Sequence, residues 1–165
     1  MKTLILMRHA KSSWDDPAEA DIDRPLNKRG REDAGKVGRW LRKRGLAPDL
    51  ALVSTAERTR ESWAGVTAEL GTCPVDFRPE LYHADAPTML AALRRAEGER
   101  VLMLGHNPGI GEFARRLLAE MSTAQGFADY PTAATAVIAF PVGSWAEIGW
   151  SSGRLMDFAI PRALG

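Results

Sequence analysis

The sequence has a single cysteine and almost no excess of charge. Cys73 is the only cysteine among 165 residues, so the chain can form neither an internal disulfide nor a zinc site built from several thiolates. The 22 basic and 21 acidic residues nearly cancel, which leaves no overall attraction to nucleic acid or to an anionic membrane. Any site for an anion must therefore be local.

Long apolar runs are absent as well. The first run, from Leu4 to Met7, ends at Arg8 and His9, which is too short for the core of a signal peptide or for a membrane span. No repeat, low-complexity tract or linker divides the chain. A lone cysteine fits a reducing compartment. We expect one soluble, cytoplasmic domain over residues 1–165, present as a monomer.

Several short apolar runs predict strands. Three of them are continuous, as is typical of strands buried on both faces: Thr3–Met7, Leu50–Val53 and Val101–Leu104. Further strands are predicted at Val75–Arg78, Ala136–Phe140, Ala146–Trp150 and Arg154–Phe158. The shorter strands after residue 122 predict an antiparallel edge to the sheet.

Stretches with helical spacing lie between these strands. The apolar residues that define the four predicted helices are Ala34, Val37 and Leu41; Trp63, Val66 and Leu70; Met89, Leu90 and Leu93; and Ile110, Phe113, Leu117 and Met121. Strands that alternate with helices predict an α/β fold, a three-layer sandwich with a mostly parallel central sheet and helices on both faces.

Charged and polar residues follow the three continuous strands. Arg8 and His9 follow the first, Arg58 comes soon after the second, and His106 follows the third. In open α/β sheets, ligands bind beyond the carboxyl ends of the strands. We therefore expect two histidines and two arginines to meet at one edge of the sheet.

Such a group of side chains suits phosphoryl chemistry. The guanidinium group of arginine can donate two hydrogen bonds to two oxygens of one phosphate. The helix after Asn107 points its free N–H groups toward the same edge of the sheet. Neighbouring cations disfavour the charged form of an imidazole, so His9 should be neutral near pH 7. A neutral His9 can attack phosphorus, form a covalent phosphohistidine and be regenerated by water.

Four short motifs, in order along the chain, carry a resemblance to a known family. Residues 6–10 resemble its Arg-His-Gly signature, and residues 24–30 its Arg-Pro-Leu-x-x-x-Gly element. Residues 54–60 are similar to its Ser-x-Ala-x-Arg segment, and residues 105–109 to its Gly-His-Asn-Pro-Gly run. The chain thus resembles the histidine phosphatase superfamily, which is phosphoglycerate-mutase-like, and within it the SixA-type phosphohistidine phosphatases.

The resemblance implies a role for each matching residue. His9 would be the nucleophile, while Arg8, Arg58 and His106 would bind the phosphoryl group. Arg24 and Asn107 are further candidates for substrate binding. The resemblance also implies a phosphoglycerate-mutase-like fold and a reaction that needs neither metal nor other cofactor. The partner would be a phosphorylated protein or a small phosphorylated molecule, not nucleic acid or a membrane.

The chain departs from the family pattern at two places. Ala10 stands where the signature has glycine, and His83 stands where many relatives carry an acidic proton donor. Candidates for that donor are His83, Glu80 and Asp85. A histidine nitrogen leaves phosphorus more readily than an alkoxide does, so a missing acid favours phosphohistidine as the substrate.

Other interpretations stay open at this point. The same pocket fits a mutase or a small-molecule phosphomonoesterase, and it also fits a catalytically dead module that binds phosphate. A zinc hydrolase using His9, His83 and His106 would place a cation beside two arginines. Asn107 and Asp85 are equally typical of helix caps, and Arg24 can pair with Asp21 or Asp23 instead of the substrate.

Overall fold

A computed structural model describes residues 1–165, and its centre is one six-stranded sheet. The strands are β1 (Lys2–Arg8), β2 (Leu50–Ser54), β3 (Val75–Arg78), β4 (Arg100–Gly105), β5 (Thr135–Phe140) and β6 (Arg154–Ala159), in the spatial order β3-β2-β4-β1-β5-β6. The first four in that order run parallel, and β5 is antiparallel to both of its neighbours. The mostly parallel sheet with an antiparallel edge is confirmed.

Four α-helices cover the two faces of this sheet. They are α1 (Lys28–Lys43), α2 (Glu57–Leu70), α3 (Ala86–Arg94) and α4 (Gly109–Leu117). Side chains of β1 alternate between two cores: Leu4 and Leu6 pack with α3 and α4, whereas Ile5 and Met7 pack with α1 and α2. A strand buried on both faces explains the continuous apolar run, and the predicted three layers are confirmed.

The helices begin at polar caps that the sequence partly predicts. The Asp85 carboxylate accepts a hydrogen bond from the backbone N–H of Thr88 at 2.9 Å, and the Asn107 side chain accepts one from Gly111 at 3.1 Å. These bonds satisfy amide groups that a helix start leaves without partners. Asp85 is therefore confirmed as the cap of α3, and Asn107, two residues before the first residue of α4, binds an amide of its first turn.

Two predicted elements are wrong. Residues 146–150 do not form a strand, because a 3-10 turn, Trp145–Glu147, buries the indole of Trp145 and lets it donate to the carbonyl of Gly98 at 2.8 Å. Helix α4 ends at Leu117, since the next residues pair with Gly153 instead of continuing the helix. Met121 is consequently 94% exposed and takes no part in the apolar stripe.

Close backbone contacts join the helix starts to the loops at the carboxyl edge of the sheet. A Cβ on Gly109, at the start of α4, would lie 1.8 Å from the carbonyl oxygen of Ala84. A Cβ on Gly30, in α1, would lie 2.0 Å from that of Lys11. Only glycine allows these approaches, which hold the loops at residues 11–27 and 79–85 beside the ends of β1, β2 and β4. None of the helices has the length and apolar character needed to cross a bilayer.

Candidate active site

The structure brings the predicted histidines and arginines together at the carboxyl ends of β1, β2 and β4. His9 follows β1, and its backbone N–H donates to the carbonyl of Gly105 at the end of β4 (3.0 Å), which continues the pairing of these strands. The rings of His9 and His106 therefore lie 5.3 Å apart. Arg58 reaches the same place from the first turn of α2. We call this group the base of the site; it consists of the half-buried Arg8 and the buried His9, Ser54, Arg58 and His106.

His9 is held as a neutral ring with one free lone pair. Its Nδ1 lies 2.7 Å from the carbonyl oxygen of Ala10, which can only accept, so Nδ1 carries the proton and Nε2 has the lone pair. Burial, followed by the charges of Arg8, Arg58 and Arg24, lowers the pKa of His9 to about 3. The neutral state agrees with the sequence argument, but burial is a larger cause than the neighbouring cations.

His106 is neutral for the same reason. Burial, then the proximity of His9 and Arg58, lowers its pKa to about 2. Its Nε2 lies 2.8 Å from the hydroxyl of Ser54, and that hydroxyl already accepts a long hydrogen bond from the N–H of Ala56 (3.4 Å). Nε2 of His106 is the one acceptor that the structure places within reach of the Ser54 proton, so the hydroxyl donates to Nε2 and the His106 proton lies on Nδ1. The sequence analysis did not identify Ser54 as part of the site, although it is the first residue of the segment that supplies Arg58.

Two buried nitrogens of the base have no protein partner. They are Nδ1 of His106 and Nε of Arg8. The guanidinium of Arg8 is otherwise anchored by a hydrogen bond from Nη1 to the carbonyl of Tyr130 (3.2 Å). Buried donors in folded proteins nearly always have a hydrogen-bond partner. These two nitrogens can therefore donate to an acceptor that binds beside the Nε2 lone pair of His9.

Asp21 forms the centre of a second group of side chains above the base. One carboxylate oxygen accepts from Nη1 of Arg24 (2.9 Å), and the other accepts from Nη2 of Arg58 (3.0 Å) and Nε2 of His83 (3.1 Å). The hydroxyl of Tyr82 donates to this second oxygen as well. That bond, together with those from His83, Arg24 and Arg58, holds the pKa of Asp21 well below its usual range. Asp21 therefore stays ionised. The sequence indicates it only as a partner for Arg24.

Arg24 lies beside the site and is fully engaged by protein groups. Besides Asp21, it donates from Nε to the carbonyl of Ser13 (3.1 Å) and from Nη2 to the hydroxyl of Ser12. Its guanidinium carbon also lies 3.2 Å from the ring centre of Trp14, a side chain that is 73% exposed. The pairing with Asp21 that the sequence left open is thus present. We call Trp14, Asp21, Arg24, Tyr82 and His83 the rim of the site.

Of the three candidate proton donors, the structure brings only His83 to the site. Its ring lies 4.9 Å from that of His106, and its backbone φ of 50° is left-handed, a strained conformation that is frequent at functional sites. Glu80 pairs with Arg78, and Asp85 caps α3. Those hydrogen bonds lower the pKa of both carboxyls, so both stay ionised near pH 7 and neither contacts the base.

Asn107 uses all its polar side-chain atoms on the backbone. Besides binding the first turn of α4, it donates from Nδ2 to the carbonyls of Tyr130 (2.9 Å) and Asp129 (3.2 Å). Its contacts favour a structural role over that of a substrate ligand, and they fix the carbonyl of Tyr130 that anchors Arg8. His9, His83 and His106 lie near one another, yet no three histidine, cysteine or acidic residues are arranged to hold a metal ion.

Comparison with known proteins gives a consistent set of matches. The model of the histidine phosphatase superfamily (branch 1) matches residues 4–89. An uncharacterized protein of Mycobacterium tuberculosis strain H37Rv is 36% identical over 166 residues, which cover 94% of this chain and 100% of that protein.

Solved structures match over nearly the whole chain. A Nakamurella multipartita protein, provisionally assigned as the phosphohistidine phosphatase SixA, is 31% identical with a TM-score of 0.81, covering 97% of this chain and 96% of its own. A similarly assigned protein of Agrobacterium tumefaciens is 28% identical with a TM-score of 0.79, covering 97% and 98%. The protein histidine phosphatase SixA in complex with tungstate shares the fold, with a TM-score of 0.81 at 22% identity and coverage of 99% of both chains.

Proposed function

This chain belongs to the histidine phosphatase superfamily, and from that membership we propose that it is a metal-independent phosphatase that hydrolyses phosphohistidine in proteins. The observation that carries the proposal is the state of His9. Its proton is fixed on Nδ1 by the carbonyl of Ala10, its Nε2 lone pair is free, and its low pKa keeps it neutral. An imidazole in this state is ready to attack phosphorus.

The first step transfers the phosphoryl group to the protein. Arg8, Arg58 and Nδ1–H of His106 bind the non-bridging oxygens and stabilise the charge on them in the transition state. Nε2 of His9 forms a bond to phosphorus while the bond from phosphorus to the leaving nitrogen breaks. The electron pair of that bond stays on the leaving nitrogen, which takes up a proton from solvent water.

The second step returns the protein to its starting state. Water attacks the phosphorus of phospho-His9, the bond between phosphorus and Nε2 breaks, and its electron pair returns to the nitrogen. Inorganic phosphate leaves and His9 is neutral again. Apart from water, neither step draws on a group outside the chain, because two arginines and one neutral donor supply the electrostatic stabilisation.

The absence of a usable carboxylic acid favours a nitrogen leaving group. Asp21 lies at the rim but is held ionised, while Glu80 and Asp85 lie away from the base. An alkoxide needs a proton as it leaves, whereas an imidazole nitrogen needs far less help. The matches to proteins assigned as phosphohistidine phosphatases support the same substrate.

Hydrolysis of small phosphomonoesters is a second candidate, and the position of His83 favours it. The ring of His83 lies at the exposed side of the site, 4.9 Å from that of His106, where a donor to an ester oxygen would be needed. A protein of this kind would process an alkyl phosphomonoester, whose alkoxide needs a proton as it leaves, more efficiently than phosphohistidine, and His83→Gln would abolish that advantage.

Phosphate release from a phosphohistidine peptide and from para-nitrophenyl phosphate, both in EDTA, tests the proposal. We expect the wild type to release phosphate from the peptide, and His9→Ala to release none while it still unfolds in a single cooperative thermal transition. A phosphoenzyme that is labile in acid and stable in base should accumulate only when His9 is present. Turnover that persists in His9→Ala, or that disappears in EDTA, would contradict the mechanism.

A further inference from the structure

Asp21 already occupies donors that a phosphoryl group would use. Both terminal nitrogens of Arg58 bind this one residue: Nη1 donates to its backbone carbonyl at 2.7 Å, and Nη2 to its carboxylate at 3.0 Å. Arg24 donates to the other carboxylate oxygen at 2.9 Å. The guanidinium groups of Arg24 and Arg58 thus surround one carboxylate, and arginines bind a phosphate with the same geometry.

The base is nearly inaccessible to solvent while Asp21 is hydrogen-bonded to Arg58. The residue exposures of His9, Arg58 and His106 are only 7%, 2% and 1%, whereas the side chain of Asp21 is 42% exposed. A phosphoryl group that approaches from solvent meets the carboxylate of Asp21 before it meets the guanidinium of Arg58. Two anions cannot share these donors without strong repulsion.

We propose that Asp21 is a resident counter-ion of the site, which leaves Arg58 when the phosphoryl group binds and returns when phosphate leaves. The inference rests on the proposed function, because it assumes that Arg58 binds the phosphoryl group. Exchange of one anion for another keeps the buried guanidinium paired at every stage, which avoids the large cost of an isolated buried charge. It also weakens the hold of the site on the product, inorganic phosphate.

The surroundings of Asp21 suit such an exchange. The residue begins a 3-10 turn, Asp21–Asp23, in which no residue is buried and whose N-terminal end has no side-chain cap. Tyr82 and His83 donate to the same carboxylate from the neighbouring loop, and these bonds help to hold it beside Arg58 when no phosphate is bound. Because hydrogen bonds hold its pKa low, Asp21 remains an anion over the whole range in which a phosphatase works.

The test measures the affinity of the site for inorganic phosphate by calorimetry in a His9→Ala background, where no turnover interferes. Asp21→Asn should bind phosphate about tenfold more tightly than its parent, because the competing charge is gone. Asp21→Glu keeps that charge and should stay within about threefold of the parent. The matched control is Asp23→Asn, which removes the same charge from the same turn at an exposed side chain without any hydrogen bond or ion pair.

Tyr82→Phe provides a second, milder variant that keeps the ring and removes only the hydroxyl that donates to Asp21. With one bond fewer to hold the carboxylate, phosphate should bind about two- to threefold more tightly. This variant decides the question if Asp21→Asn does not fold.

The outcomes separate the inference from the function on which it rests. Unchanged or weaker phosphate binding in Asp21→Asn, or equally tight binding in Asp23→Asn, overturns the role of Asp21 and leaves the function of His9 intact. Tight binding in Asp21→Glu would show that the effect is not one of charge and also overturns it. No phosphate binding in any of the proteins, including the parent, overturns both the inference and the proposed function.

Discussion

The base and the rim of the site are built in different ways from equally polar residues. In the base, His9 and His106 are nearly inaccessible and are neutral, and backbone or hydroxyl groups fix their tautomers. In the rim, one carboxylate joins two arginines, a tyrosine and a histidine, and several of these side chains are exposed.

The difference separates two tasks of one site. A buried, neutral imidazole is reactive, because desolvation keeps the ring in its nucleophilic form. The carboxylate of Asp21 is 42% exposed, so water can replace a partner that it loses and the group can exchange partners. We therefore expect changes in the base to affect the chemical step and stability, and changes in the rim to affect affinity.

Removing one arginine from each region should give the largest contrast. Arg58→Ala should lower kcat/KM for a phosphohistidine peptide by about 10²- to 10³-fold, because a transition-state donor is lost. Arg24→Ala should lower it by at most about tenfold, because Arg24 donates to Ser12, Ser13 and Asp21 and makes no hydrogen bond to the base. Initial rates in EDTA measure both, with thermal melting as the control for folding. Equal losses would show that base and rim do not divide the work in this way.

The pH dependence of stability should also separate the two regions. The folded pKa values of His9 and His106 lie below the unfolded value of about 6.5, so the unfolded chain binds more protons and stability falls as pH drops through 6.5. From pH 7 to 5.5, the two histidines together should cost roughly 2.5 kcal/mol. Asp21 has a lowered pKa, so its contribution is present above the unfolded value of about 4 and is lost only below that.

Urea unfolding at several pH values measures this dependence. His9→Gln should remove about half of the slope between pH 7 and 5.5, and Asp21→Asn should leave that slope unchanged. A slope that depends on Asp21 but not on His9 would reverse the assignment of the two regions.

Ser54 offers a smaller test within the base. Ser54→Ala removes the hydroxyl that directs the His106 proton to Nδ1, and kcat should fall by about tenfold with little change in KM. Ser54→Thr keeps the hydroxyl and should recover most of the rate. If Ser54→Ala changes only the melting temperature, the hydroxyl serves stability and not the orientation of His106.

The smallest expected effect lies at the outer side of the rim. Trp14→Ala removes the ring on which Arg24 stacks, an exposed cation–π contact that contributes about 0.5–1 kcal/mol. We expect KM to rise about two- to fivefold while kcat stays the same, and Trp14→Phe to be intermediate. Steady-state kinetics decide this, and a fall in kcat as large as that of Arg58→Ala would place Trp14 in the chemical step.

The sequence predicts the base much better than the rim, for a physical reason. Parallel strands end at one edge, so residues directly after β1, β2 and β4 must meet there whatever the loops do. The position of Arg8, His9, Arg58 and His106 follows from this rule alone. Ser54 was within reach of the same argument, since it is the last residue of β2.

The rim depends on contacts that no periodicity encodes. Asp21 lies in a loop, and its partners Tyr82 and His83 are about 60 positions away in another loop. Local patterns also mislead where tertiary contacts decide, as for residues 146–150, where burial of Trp145 produces a turn from an apolar run. Glu80 and Asp85 are reasonable donors by position, but Glu80 pairs with Arg78 at the end of β3 and Asp85 binds Thr88 in α3.

The exposed indole of Trp14 gives the protein an optical signal for events at the rim. Trp40, Trp63 and Trp145 are buried, so their emission changes little when something binds at the surface. Trp14 is 73% exposed and has the Arg24 guanidinium 3.2 Å from its ring centre, which makes its quantum yield sensitive to any shift of that cation. Fluorescence of the unlabelled wild-type chain, with Trp14→Phe as the blank, can therefore follow the arrival and departure of phosphate in a stopped-flow cell.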